Sequence, residues 1–338
     1  MNLRCDRTAA WAALQGHYEA HGRDLDLREA FARDAGRAAA MSFEAPEVFA
    51  DLSKNRLDTA TLKFLLELAR ECGLEAARDA MFAGQSINAT EGRAVLHTAL
   101  RAPRGHGPFS AEVHGVLDSM LAYAEGHPEI GVLGPQLRYG DGRVQSSRRR
   151  FPTLATFFLE STVLQREWPR NRVLDRYFVL DKPDDAISQV DWVVGACMLV
   201  RRAVLDAIGG FDESFFMYSE ELDLCHRAVD AGWQVVYFPQ AVVTHHEGKS
   251  SEQVVAARHI RFHTSRVRYV RKYHGAAAAE AVRTFLLLTF AFQWVEEGAK
   301  WLAGLVLPAQ RSKRAMRRER MAAYGQVLRS GLSSKNSI

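Results

Sequence analysis

The sequence predicts an α/β protein: an all-helical N-terminal segment, then a mixed sheet with flanking helices, then an amphipathic helix near the C-terminus. Three observations carry that expectation. Apolar residues recur at helical spacing as far as about Glu125, and short β-rich runs separated by Gly and Asp turns begin after His127-Pro128. The most apolar stretch, Ala281 to Leu307, is broken by Glu296, Glu297 and Lys300.

In the first part, "TATLKFLLELARECG" sets Leu62, Leu65, Leu66 and Ala69 on one helical face and ends at Gly73. "SAEVHGVLDSMLAYAEG" predicts a further helix, with Ser110 as its cap after Pro108 and Gly126 at its end. No strand is expected before the texture changes, near residues 115 to 128. Beyond it, "IGVLGPQL", "VDWVVGACMLV", "WQVVYF" and "AVVTHH" read as strands, with a turn at "GDGR", Gly140 to Arg143. Helices over "RRAVLDAIGG" and "SEELDLCHRAVDAG" alternate with them. The expected segments are 1–120, 121–275 and 276–338.

At about 100° per residue, Thr289, Gln293, Glu296, Glu297 and Lys300 share one face of the last long helix. Leu287, Leu288, Phe292, Trp294, Val295, Trp301, Leu302 and Leu305 spread over the remainder. Its apolar runs are too short for an ordinary spanning helix. The basic run "RSKRAMRRER", Arg311 to Arg320, follows at once, which suits a helix lying in the interface of an anionic cytoplasmic leaflet. Packing on the domain core, or in a dimer interface, is the alternative.

With 338 residues, 47% of them hydrophobic, the chain is expected to fold around a buried core. Its net charge of +4 is too slight to suggest a nucleic-acid partner. Cys5, Cys72, Cys197 and Cys225 form no C-x-x-C pair, so neither a zinc knuckle nor a disulfide framework is expected, and a reducing cytosol fits. "MNLRCDRTAAWAALQGHYEAHG" has no apolar signal region, which places any membrane contact on the inner face of the cytoplasmic membrane. P-loop, G-x-G-x-x-G, G-x-S-x-G and H-E-x-x-H signatures are missing, leaving the common kinase, dinucleotide and hydrolase classes unsupported.

The residues with chemistry to offer begin at "FFMYSEELDLCHRA". With Ser219 at the N-cap, Glu220 and Glu221 fall in the first helical turn, where the dipole favours an ionised carboxylate by about 0.3–1 kcal/mol. Such a carboxylate is a competent general base if it faces a cleft; ordinary helix-start charge is the plainer account. Asp223 is either catalytic or the partner of Arg227, four residues on. In "VVTHHEGKS" a histidine could ligate a divalent cation or simply sit in the core or at the surface. "SSRRRF", with Arg148 and Arg149, could hold a diphosphate or be a solvated loop.

Beyond these local readings, two families are resembled. "GVLGPQLRYGDGRVQSSRRRFPTL" and "VDWVVGACMLVRRAVLDAIGGFDESFFMYSEELDLCHRAVDAGWQVVYFPQAVVTHHEGKSS" closely resemble the C-terminal half of family 2 glycosyltransferases of the rhamnosyltransferase type, from about Val116 to Tyr273. The resemblance implies a partial GT-A-like sheet and inverting transfer from a nucleotide-sugar donor to a glycan or lipid-linked acceptor. It implies a divalent metal, Mg or Mn, at the leaving diphosphate. The family's base, the second acid of an E-D pair, falls on Glu221; its H-x-x-G-x-S element falls on His245, Gly248 and Ser250. Its D-W-x-x-G acceptor segment falls on Asp191, Trp192 and Gly195.

"DLSKNRLD", "ARDAMFAGQSINATEGRAVLHTALRAPRG" and "GPFSAEVHGVLDSMLAYAE" instead resemble the N-terminal helical region of glucose-6-phosphate isomerase, over roughly residues 8 to 125. The catalytic Glu, His and Lys of that family lie in later domains that the resemblance does not reach. Equally, the transferase family's early N-Y-N and D-N-x-S-x-D elements do not occur before residue 127, and the resemblance assigns no D-x-D-like metal site there. The expectation is therefore a chimera: a glycosyltransferase impaired by loss of its donor-binding half, with an isomerase-derived fragment or a non-catalytic product as alternatives.

Overall fold

Side-chain caps start the first helices. Thr8 Oγ1 accepts from the Trp11 amide at 3.1 Å, and Asp58 Oδ1 from the Thr61 amide at 2.7 Å. These details come from a computed structural model that describes residues 4–89, 92–246, 255–307 and 311–333. It is a mixed α/β structure that divides into two units, Met1–His114 and Gly115–Ile338.

The N-terminal unit holds helices α1 (Ala9–His17), α2 (Leu27–Arg33), α3 (Arg37–Ala40), α4 (Thr59–Glu71) and α5 (Leu74–Phe82), and α6 (Ser110–Glu125) begins in it. One hairpin interrupts the helices, β1 (Ser42–Ala45) paired with β2 (Val48–Asp51), against the expectation of no strand in this segment. Its turn is Pro46-Glu47, with Glu47 held at φ 61°. The "DLSKNR" loop wraps a buried Arg37, whose Nε donates to the Ser53 carbonyl at 2.9 Å and Nη2 to those of Asn55 and Leu57. Ser110 does not cap α6 from outside: it is the first helical residue, and its hydroxyl accepts from the Gly105 amide at 2.8 Å. Among the described residues of this unit only Ala10, Met41 and Ala99 are apolar and fully buried, so its core is thin.

The C-terminal unit is built on β3 (Ile130–Arg138), which pairs in parallel with β9 (Gln234–Thr244). The other strands are β4 (Val144–Gln145), β5 (Arg148–Arg149), β6 (Ser188–Val190), β7 (Trp192–Val193) and β8 (Leu199–Val200). The main sheet runs β4-β3-β9-β6, with β8 also on β3; β5 and β7 form a separate pair. The "VDWVVGACMLV" run is thus not one strand but feeds three pairings, changing partner at Asp191 and again after Gly195. Conversely "WQVVYF" and "AVVTHH" join into one strand, bulged where Pro135 and Gln136 face Phe238 and Val242.

Period-two alternation gives the sheet two buried faces. Val132, Val235 and Tyr237 point into the larger core with Leu222, Cys225 and Ala228 of α11 (Glu220–Asp230); Leu133, Val236 and Phe238 meet Met120 and Tyr123 of α6 on the other. Gly134 lets the two strand systems approach, since a Cβ there would lie 2.7 Å from the Val193 side chain. Between β5 and β6 lie α7 (Leu154–Leu159), α8 (Val163–Glu167) and α9 (Arg172–Tyr177); α10 (Arg202–Ile208) precedes α11.

Three long helices finish the chain: α12 (Val255–His274), α13 (Ala276–Val306) and α14 (Arg314–Ser330). The polar residues of α13 do not all face outward. Thr289 and Glu297 are buried, and Glu297 Oε1 accepts from Arg320 at 3.2 Å. Its other side carries Leu288, Phe292, Val295, Leu302 and Val306, all more than half exposed, along one helical stripe. By length and composition α13 could cross a membrane, but part of that helix is buried by its neighbours within the unit.

Candidate active site

The start of α11 is fixed by backbone strain rather than by a cap. Tyr218 and Ser219 both take left-handed conformations, φ 69° and 66°, and the Ser219 side chain makes no capping bond. Two such residues cost about 1–3 kcal/mol each. The expected position of Ser219 is right; its expected hydrogen bond is not formed.

That turn delivers Glu220 and Glu221 with one buried oxygen each, Oε2, that has no hydrogen-bond partner. Glu221 Oε1 faces the Gly195 amide at 3.4 Å. A side chain at Gly195 would sit 3.3 Å from Glu221 Cβ, so glycine is what lets the β7 segment pass this close. Burial, and then the neighbouring Glu220 charge, pushes the Glu221 carboxyl up to about 7; burial also raises Glu220. The helix-start field expected to keep these acids ionised is outweighed. Displacement from 4.5 to about 7 corresponds to about 3 kcal/mol against a dipole worth about 0.3–1 kcal/mol.

Asp223 points the other way and is fully buried. Arg227 Nε donates to its Oδ2 at 2.8 Å, while Tyr273 Oη (2.7 Å) and Lys272 Nζ (2.6 Å) meet its Oδ1. It ties α11 to α12 rather than lining the surface around Glu221. Next to it His226 stacks on Tyr273, centroids 3.9 Å apart, and its Nδ1 lies 2.6 Å from Tyr269 Oη. Lys272 and Tyr273 lie about fifty residues downstream of Asp223, so no local spacing pointed to them.

The three adjacent arginines go three ways. Arg148 is buried, 4.7 Å from the Tyr237 ring centroid, its Nη atoms donating to the Pro183 and Lys182 carbonyls and to Asp184 Oδ1. Arg149 lies over Phe178, 4.6 Å from its centroid, and donates to Ser146 Oγ. Arg150 turns to Asp191. Asp191 Oδ2 accepts from the Phe151 amide at 2.7 Å, and the buried Trp192 donates its indole N–H to the Arg150 carbonyl at 3.0 Å. Asp191, Trp192, Gly195 and Glu221 therefore form one continuous run of contacts, and Arg150 belongs with them.

His245 closes the β3–β9 ladder, its amide donating to the Arg138 carbonyl at 2.8 Å, and its Nδ1 lies 3.0 Å from Gln145 Oε1. Gly248 and Ser250 lie outside the described residues. Among the described residues no three His, Cys, Asp or Glu side chains converge as a metal-binding group. The described residues alone supply no ligand set for the divalent ion that the resemblance implies.

Comparison with known proteins divides the chain near the boundary between the two units, the isomerase-like match running on through α6. Residues 147–262 match the family described as "Glycosyltransferase like family 2", and residues 51–127 match "Phosphoglucose isomerase". The glucose-6-phosphate isomerase of Leptothrix cholodnii is 67% identical over 122 residues, 36% of this chain and 22% of that protein. Those of Methylibium petroleiphilum and Polaromonas naphthalenivorans are 61% and 55% identical over 123 and 135 residues, again 36% of this chain, and 23% and 26% of theirs. The chain spans about a quarter of the length of these curated relatives. The two family matches do not overlap, the pattern of a chimera: an isomerase-like N-terminal third and a glycosyltransferase-like domain.

Proposed function

We propose that the C-terminal unit carries the acceptor side of an inverting sugar-transfer site, moving a sugar from a nucleotide-sugar donor to a glycan or lipid-linked acceptor, with Glu221 as base. One observation supports this most: a buried carboxyl with an unpartnered oxygen, held up to about 7 beside the Gly195 amide, in the segment that matches the glycosyltransferase family. A base of that basicity is suited to a hydroxyl at neutral pH. The acceptor oxygen forms its bond to the anomeric carbon as its proton passes to Glu221, and the bond to the diphosphate breaks, releasing the nucleoside diphosphate. The sequence ahead of the transferase-like domain matches the isomerase family instead of supplying nucleotide-binding elements, so donor binding is the weak step and turnover is slow.

The test is transfer from a panel of nucleotide sugars, with Mg²⁺ or Mn²⁺ supplied, to phosphate-linked glycan acceptors. Slow transfer that falls by about 10²–10⁴ in E221Q is expected. Transfer unaffected by that change, or none with any donor, sinks the reading; conversion of glucose 6-phosphate to its fructose isomer would favour the isomerase-derived alternative instead.

The exposed stripe on α13, and the exposed Arg311, Lys313 and Arg318 that follow it in the chain, support placing the unit on the inner face of the cytoplasmic membrane. Apolar side chains would enter the headgroup boundary while the cations meet anionic lipid.

A further inference from the structure

A pocket of about 350 Å³ opens among the three C-terminal helices and shares no residue with the contacts around Glu221. Thr264, Arg268 and Arg271 line it from one face of α12, spaced four and three residues apart. Glu280 and Arg283 line it from α13, and the residues just beyond α14 close it. Arg283 is fully engaged. Its Nε donates to Glu280 Oε2 at 3.0 Å, its Nη2 to Glu280 Oε1, and its Nη1 to the Gly331 carbonyl at 2.8 Å. The Arg283–Glu280 pair is therefore neutral and fastens α13 to the end of α14.

Arg268 and Arg271 have no such answer. Neither makes a hydrogen bond or ion pair among the described residues: Arg268 lies 5.9 Å from the Phe215 ring centroid, and Arg271 is exposed, close enough to feel the Glu280 charge but not paired with it. Three guanidiniums less one carboxylate leave two positive charges facing the same space. Like charges three residues apart on a helix repel each other, and a doubly charged anion between them removes that cost. Thr264 calls for the same ligand. It is 5% exposed, stands one turn before Arg268, and its Oγ1 is buried with no hydrogen-bond partner. An unmade bond of that kind is a standing cost, and a phosphate oxygen would accept it. The planar guanidinium fork likewise matches phosphate oxygens.

We infer that this pocket binds a phosphate monoester, whose two charges meet Arg268 and Arg271 while the Thr264 hydroxyl donates to one of its oxygens. A soluble sugar phosphate and the phosphate of phosphatidic acid offer the same chemistry, and two arms of one experiment separate them. The full-length chain is titrated with glycerol 3-phosphate in a calorimeter, and sedimented with phosphatidylcholine vesicles that contain or lack phosphatidic acid. Glycerol 3-phosphate should bind, and R271Q should weaken it about tenfold, as loss of a charge-assisted contact implies. Because Arg271 is exposed and unpaired, R271Q should keep the wild-type Tm. T264V should also weaken binding without lowering the Tm, since the hydroxyl it removes has no partner in the folded chain. A preference for phosphatidic acid that disappears in R268Q/R271Q makes the ester a lipid headgroup; a loss confined to glycerol 3-phosphate makes it a soluble one. Binding of neither probe by wild type, or equal binding by R268Q/R271Q, overturns the inference. So does a nucleoside diphosphate that binds more tightly and is lost with the same two arginines, which would give the pocket to a donor.

Discussion

Replacing Glu221 with glutamine probes the electrostatics of the site without any substrate. The carboxyl stands at about 7 in the folded chain against 4.5 for the free group, raised by burial and then by Glu220. A raised acid holds its proton more tightly folded than unfolded, so this contribution to stability is complete below pH 4.5 and drains away as the pH climbs through about 7. At about 1.4 kcal/mol per pH unit, the whole swing is about 3 kcal/mol. Glutamine keeps an oxygen for the Gly195 amide and never ionises. The E221Q chain should therefore match wild type near pH 4.5 and pull ahead as pH rises; for a unit of this size about 3 kcal/mol is a Tm gain on the order of 5–10 °C by about pH 8. Thermal unfolding followed by circular dichroism from acid to mild alkali reads it directly. Parallel curves for the two proteins would refute the claim that Glu221 is desolvated, and with it the case for a neutral-pH base.

Two further outcomes follow from the packing. Tyr273→Phe deletes the hydroxyl that donates to the buried Asp223 at 2.7 Å and should cost about 1.5–3 kcal/mol, seen as a lower urea midpoint; an unchanged midpoint would mean that Lys272 and Arg227 suffice. Changing Leu288, Val295 and Leu302 together to serine removes apolar side chains that are already exposed, so stability should stay within about 0.5 kcal/mol per site. Co-sedimentation with anionic phospholipid vesicles should be lost, and retention would move the membrane contact away from α13.

Much of this architecture was legible locally, and the exceptions have physical causes. The β-rich run "IGVLGPQL" and the turn at Gly140–Arg143 locate β3 and the turn that follows it, and the Ser-Glu-Glu start places α11 at its observed first residue. The hairpin at Ser42–Asp51 went unseen because its strands are four residues each, shorter than a clear period-two signal needs. "VDWVVGACMLV" reads as one strand because its apolar run is unbroken, yet Asp191 spends its side chain on the Phe151 amide and the chain changes partner there. Burial of a chosen arginine is likewise invisible: nothing in "RRR" says that Arg148 finds Tyr237 while Arg150 finds Asp191. The helix start that carries Glu220 and Glu221 is readable in position but not in its electrostatics, since a dipole is readable from sequence and desolvation by distant elements is not.

The segment from Ser188 to Val200 is the edge of one sheet, the partner of a second, and a third strand on β3, and between these it lends Asp191 to Arg150 and the Gly195 amide to Glu221. Anyone redesigning this unit should treat those thirteen positions as a cassette, exchanged whole, because a piecemeal swap would break an anchor on one side of the strand for each contact altered on the other.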